Sequence, residues 1–146
     1  MRKITADQFM DLGDKQRVAR TIADAVDLLI AHGFFTPAFC LIAAGIDGIA
    51  GGERDKYLAA LEQHFPDLCR RLGAEVFYAK YRNGMIHEYS PKKGFGLTED
   101  KEVGPVIVET LIVDGHSDPL ICVNVEALAR QFKTFVDAYT TSQHPQ

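Results

Sequence analysis

The sequence predicts a mainly α fold: a bundle of four to five helices with a β-hairpin set before the C-terminal helix. Apolar residues recur at helical spacing through the first half and again after residue 124, which sets the class. Between these lies a β-branched run, Val-Ile-Val-Glu-Thr-Leu-Ile-Val, followed by a cluster of turn residues. The composition, 47% apolar and 25% charged, is that of an ordinary globular chain, so residues 1–146 are read as one domain able to bury a substantial core.

Thr5-Ala-Asp-Gln8 has the spacing of a capping box and predicts a helix start. Val18, Ile22, Ala25, Val26 and Leu29 then form an apolar stripe up to Gly33. Thr36-Pro37 predicts the next start, an N-cap followed by proline at the first helical position. That helix carries Phe39, Ile42, Ala43, Ile46 and Ile49 and stops at Gly51-Gly52. A third holds Tyr57, Leu58, Leu61 and Phe65 before Pro66, and a short turn over 67–72 ends at Gly73. A fourth starts near Ala74 and presents Val76, Phe77 and Tyr81. Ser90-Pro-Lys-Lys-Gly-Phe-Gly reads as a loop, with Gly94-Phe95-Gly96 a flexible turn. The hairpin is predicted over about 105–123, with strands at Pro105–Val113 and Leu120–Val123 around Asp114-Gly-His-Ser-Asp118. Asn124 caps a last helix over about 125–140, with Val125, Leu128, Ala129, Phe132, Phe135, Val136 and Tyr139 as its stripe.

No stretch has the length and apolarity of a membrane span, and the first residues lack the apolar run of a secretion signal. Cys40, Cys69 and Cys122 are scattered, odd in number and without CxxC spacing, which speaks against a disulfide framework or zinc site. A cytoplasmic location without membrane association is therefore expected. His32, His64, His116 and His144 show no metal-ligand spacing, and no glycine-rich phosphate loop is present, so no metal and no cofactor is expected. The net charge of −4 argues against a domain that coats itself with nucleic acid. Yet residues 70 to 93 carry six basic groups against two acidic ones, a patch that suits either a phosphate backbone or the solvated ends of surface helices.

Within that patch, Arg82-Asn83-Gly84-Met85-Ile86-His87-Glu88-Tyr89 holds the groups that break an RNA phosphodiester bond without a metal. Imidazole moves a proton near neutral pH. A guanidinium offers a planar fork to phosphate oxygens that gain charge in the transition state. Asn83 can hold a ring nitrogen or the phosphate. On a straight α-helix Arg82 and His87 stand about 140° apart, so one unbroken helix does not aim both at one phosphate.

The stretch Tyr78-Ala-Lys-Tyr-Arg-Asn-Gly-Met-Ile-His-Glu-Tyr-Ser-Pro resembles the HEPN superfamily, small helical domains marked by Arg, then Asn, His or Asp, and a His after a short spacer. Arg82, His87 and Tyr89 match its Arg-x4-His-x-Tyr form, found in toxins paired with minimal nucleotidyltransferases. The sharp match spans about a dozen residues, and a weaker one reaches back to about residue 15. The resemblance implies a homodimer whose cleft joins two motifs, with His87 the proton-transfer group, Arg82 the charge stabiliser and Asn83 the orienter. It implies an endoribonuclease of a defence, stress or toxin–antitoxin system that leaves 2′,3′-cyclic phosphate ends, with a nucleotidyltransferase-type antitoxin as partner and Tyr89 as its modification site. The hairpin departs from the compact all-helical members. Lys80, Lys92 and Lys93 are candidate phosphate contacts or ordinary surface lysines. Asp47, beside the apolar face of its helix, either supports the cleft or is solvated. The alternative function is a non-catalytic HEPN-like module that binds RNA, a nucleotide or a protein; a plainer one leaves Arg82 and His87 to stabilise their own turn.

Overall fold

The computed structural model describes residues 3–88, 91–99 and 104–142. Helix α1 (Ala6–Met10) starts at the expected capping box. Gln8 N–H donates to Thr5 Oγ1 at 3.1 Å and Thr5 N–H to Gln8 Oε1 at 2.8 Å. Helices α2 (Asp14–Ala31), α3 (Phe35–Ala50) and α8 (Val125–Ser142) pack side by side as the body of the bundle. The predicted stripe of α8 is its buried face, with Tyr139 at the margin. Its cap is as expected too: Ala127 N–H donates to Asn124 Oδ1 at 3.4 Å.

Helix α2 is rotated from its predicted stripe. Gln16, Ala19, Arg20, Ala23 and Val26 face inward, while Val18 is exposed. The reason lies more than a hundred residues away. Arg20 Nη1 meets Asp137 Oδ1 and Thr140 Oγ1 of α8, both at 3.2 Å, so its charge enters the interior already paired. The alanines beside it let α2 lie close on its neighbours. Gly45 does the same for α3: a Cβ there would stand 2.6 Å from Phe132 Cζ.

Helix α3 starts one residue before the expected Thr36 cap, leaving Pro37 inside the first turn. The turn predicted over 67–72 is instead a short helix, α5 (Pro66–Arg71), after α4 (Arg54–His64), with Pro66 at its first position. The motif helix is not one element. Helix α6 (Ala74–Val76) passes into a π-helical segment, Phe77–Arg82, and then into α7 (Asn83–Glu88).

The hairpin is present but belongs to a larger sheet. Strands β2 (Val106–Val113) and β3 (His116–Asn124) are antiparallel, and Asp114 and Gly115 both have positive φ, +51° and +78°, as a two-residue hairpin turn requires. The second strand thus begins at His116 rather than Leu120. Part of the segment read as a loop is a strand, β1 (Phe95–Thr98), which lies parallel to β3 with Phe95 opposite Ile121. The order is β1-β3-β2. A Cβ at Gly96 would stand 3.2 Å from both Cys122 Sγ and Leu120 Cδ2, so the glycine that suggested a flexible turn is what lets β1 lie against its partner.

Candidate functional site

The π-helical segment sorts its side chains into two groups. Phe77 and Tyr81 are fully buried; their rings stack at 5.8 Å between centroids, and Phe39 of α3 packs on both. Tyr81 also meets Phe95 of β1 edge-on, and its hydroxyl donates to the Ile121 carbonyl of β3. Burial pushes the Tyr81 phenol above its ordinary pKa, so it stays a neutral donor. Tyr78 and Arg82 turn the other way, toward the C-terminal half of α3 and the start of α4. Asn83 N–H reaches back to the Tyr78 carbonyl, the i→i+5 bond of the wider helix.

Arg82 is held on three sides. Its Nη2 donates to Asp47 Oδ2 at 2.7 Å, its Nη1 donates to Asn83 Oδ1 at 2.8 Å, and its guanidinium carbon lies 4.9 Å from the centre of the Tyr78 ring. The pair is mostly enclosed: the Arg82 side chain is 16% exposed and Asp47 24%. Arg82 Nε is buried and lacks a hydrogen-bond partner among the described residues. Burial by itself would lower the guanidinium's pKa; the hydrogen bond and charge of Asp47, aided by Tyr78 and Tyr57, raise it instead.

Behind Tyr78 stands Tyr57 of α4, edge-on at 5.2 Å and fully buried. Its hydroxyl donates to the Ala43 carbonyl at 3.3 Å. Burial first, and the nearby Asp47 carboxylate second, push its phenol well above the ordinary range. Ala43 and Asp47 are one turn apart on α3, so a single helix anchors both ends of the chain Tyr57–Tyr78–Arg82.

The sequence-predicted site residues divide accordingly. Arg82, Asn83 and Asp47 come together. His87 sits on α7 with its side chain exposed. The side-chain oxygen of Asn83 is engaged by Arg82. Lys80 and Lys93 are exposed and Lys92 half-buried. Lys92 N–H donates to the Lys80 carbonyl at 2.9 Å, which folds the basic loop back on the motif. Tyr89 lies outside the described residues. Sequence reading missed Tyr78, Tyr57 and Arg54, whose guanidinium carbon lies 5.8 Å from the centre of the Tyr78 ring. The spacing of Tyr78 and Arg82, four apart on a helix, was the available sign.

Among the described residues no group of three or more His, Cys, Asp or Glu gathers as a metal site, the three cysteines are unbridged, and no single helix is long and apolar enough to cross a membrane. No protein-family model, curated protein or solved structure matches the chain.

Proposed function

We propose that the chain is a HEPN-like endoribonuclease that needs no metal and is completed by a second copy of itself. The observation that carries this reading is the division of the motif: Arg82 is clamped by Asp47, Asn83 and Tyr78, while His87 stands exposed on the next helix. A clamped guanidinium is a preorganised stabiliser of phosphate charge, since it does not reorganise when charge develops. A straight α-helix would set the two about 140° apart, which favours a histidine supplied from elsewhere. A two-fold pairing supplies it from the other copy. In the cleft, one His87 takes the proton of the ribose 2′-hydroxyl as that oxygen attacks phosphorus. The His87 of the second copy protonates the 5′-oxygen as the P–O5′ bond breaks, leaving a 2′,3′-cyclic phosphate.

Purified protein is expected to cleave labelled mixed-sequence RNA in EDTA, and Arg82→Ala and His87→Ala to be silent. Mixing His87→Ala with wild type tests the pairing. Verified mixed dimers, which keep one histidine, are expected to be silent, whereas half of the wild-type activity in them confines the chemistry to one chain. Silence of folded wild-type protein sinks the enzymatic reading.

A second reading, a non-catalytic module that binds RNA, a nucleotide or a protein, is favoured by the engagement of Arg82. Each terminal nitrogen already donates one hydrogen bond, so a phosphate meets only the remaining N–H groups of a largely enclosed fork. The defence or toxin–antitoxin setting, with a nucleotidyltransferase-type antitoxin acting at Tyr89, belongs to the first reading and is tested by mass analysis of the chain after incubation with such an enzyme and a nucleoside triphosphate.

A further inference from the structure

Two arginines share one aromatic ring. Arg82 lies over Tyr78 from the C-terminal end of the π-helical segment, and Arg54 lies over it from the first position of α4. They are held very differently. The contacts of Arg54 to Asp55 and Glu75 are both 3.4 Å long, and the two carboxylates are 94% and 77% exposed. Such pairs are weak and exchange readily for another anion. The position is also unfavourable in itself, because the first turn of a helix repels a cation. A strongly placed cation with weak local partners, at a position its helix opposes, is the kind of local conflict found where a ligand supplies the missing interaction.

We propose that Arg54 is a second phosphate-binding group of the Arg82 site. The ligand is then a single-stranded polynucleotide that lays two phosphates along the Tyr78 edge, one on each guanidinium, and a mononucleotide fills only half of it. Arg54 exchanges Glu75 for a phosphate, which offers a guanidinium two oxygens in the matching plane and a fixed negative charge. Because Arg82 is recessed and Arg54 exposed, the strand enters over Arg54 and reaches Arg82 last. This inference rests on the RNA reading above.

The test is anisotropy with a short labelled 2′-O-methyl oligoribonucleotide, which binds without being cleaved. Arg54→Ala is expected to weaken binding roughly tenfold and to lower the slope of log K against log salt by about 0.7, the value of one phosphate contact on a single strand. Arg54→Lys keeps the slope because it keeps the charge. Glu75→Gln removes the competing carboxylate and strengthens binding severalfold, more than Glu62→Gln, which makes the same charge change farther along α4. Wild-type binding with an unchanged slope in folded Arg54→Ala overturns the role of Arg54 and leaves the RNA reading standing. No binding by wild type overturns both.

Discussion

Two corners of this molecule are each closed by an arginine and an aspartate from distant helices, and they are built to different ends. At the α2–α8 corner, Arg20 is 4% exposed against Asp137 at 24%, and Thr140 adds a hydroxyl. At the corner between α3 and the π-helical segment, Arg82 and Asp47 are nearly as enclosed, but the guanidinium also lies on Tyr78 and keeps an unsatisfied Nε. The first pair lies among alanines and closes a helix interface. The second lies among groups that fix orientation. Burial of an arginine therefore does not separate a strut from a poised cation; what surrounds the fork does.

The comparison breaks most visibly if the two arginines are removed in turn. Arg82→Ala is expected to cut RNA cleavage by on the order of 10²–10³-fold, as loss of a transition-state charge donor does. Its cost in urea unfolding should stay below about 2 kcal/mol, since the buried Nε goes with it. Arg20→Ala should reverse the pattern. It loses about 3 kcal/mol, the low end for a broken buried pair because Asp137 keeps some water, while its folded fraction still cleaves. A larger stability loss for Arg82→Ala than for Arg20→Ala would dissolve the distinction. Gly45→Ala sharpens the view of the bundle body: with Phe132 in the way, it should cost about 1–3 kcal/mol with no effect on RNA affinity. Tyr78→Leu removes the ring but keeps the bulk. Cleavage should fall several-fold, in line with a cation–π contribution of about 1 kcal/mol, while the unfolding midpoint barely moves.

The smallest effect concerns pH. Burial lowers the pKa of His64, whose ring lies tilted against Phe135 of α8 at 4.7 Å between centroids. A histidine with a depressed folded-state pKa binds fewer protons folded than unfolded. Its share of stability is therefore complete above the unfolded value of about 6.5 and is lost as pH falls through the folded value. His64→Gln should flatten that part of the stability–pH curve. An unchanged slope between wild type and variant would remove His64 from the account.

Legibility in the sequence followed the range of the interaction that decided each feature. The Thr5 capping box, the α8 stripe and the Asp114-Gly115 hairpin are decided within a few residues, and each is where local chemistry puts it. The inward face of α2 is decided by Asp137, so a stripe drawn from hydropathy alone chose Val18 over Arg20. Strand β1 was hidden because Gly96 and the preceding Gly94 together mimic a turn, although Gly96 is there for contact with Cys122 and Leu120. The π-helical segment has no composition that marks it, and without it Tyr78 stayed out of view. At the site, Arg82, Asn83 and Asp47 were readable as types of chemistry, and so was the divergence of Arg82 from His87 along a straight helix; that Asp47 and Asn83 both close on Arg82 was not.

The parallel pairing of β1 with β3 has a consequence for the order of events during synthesis. By the time residue 88 has left the ribosome, every side chain that clamps Arg82 is already available. The other side of the π-helical segment is not, because Tyr81 donates to Ile121 and packs against a strand that needs β3 beside it. Helix α2 likewise waits for Asp137 to receive its buried arginine. A nascent chain thus carries the whole motif for several seconds, at ~5–20 residues/s, before the sheet closes its other side. On the endoribonuclease reading proposed above, a chain assembled in that order lacks its completed site until its last helix arrives.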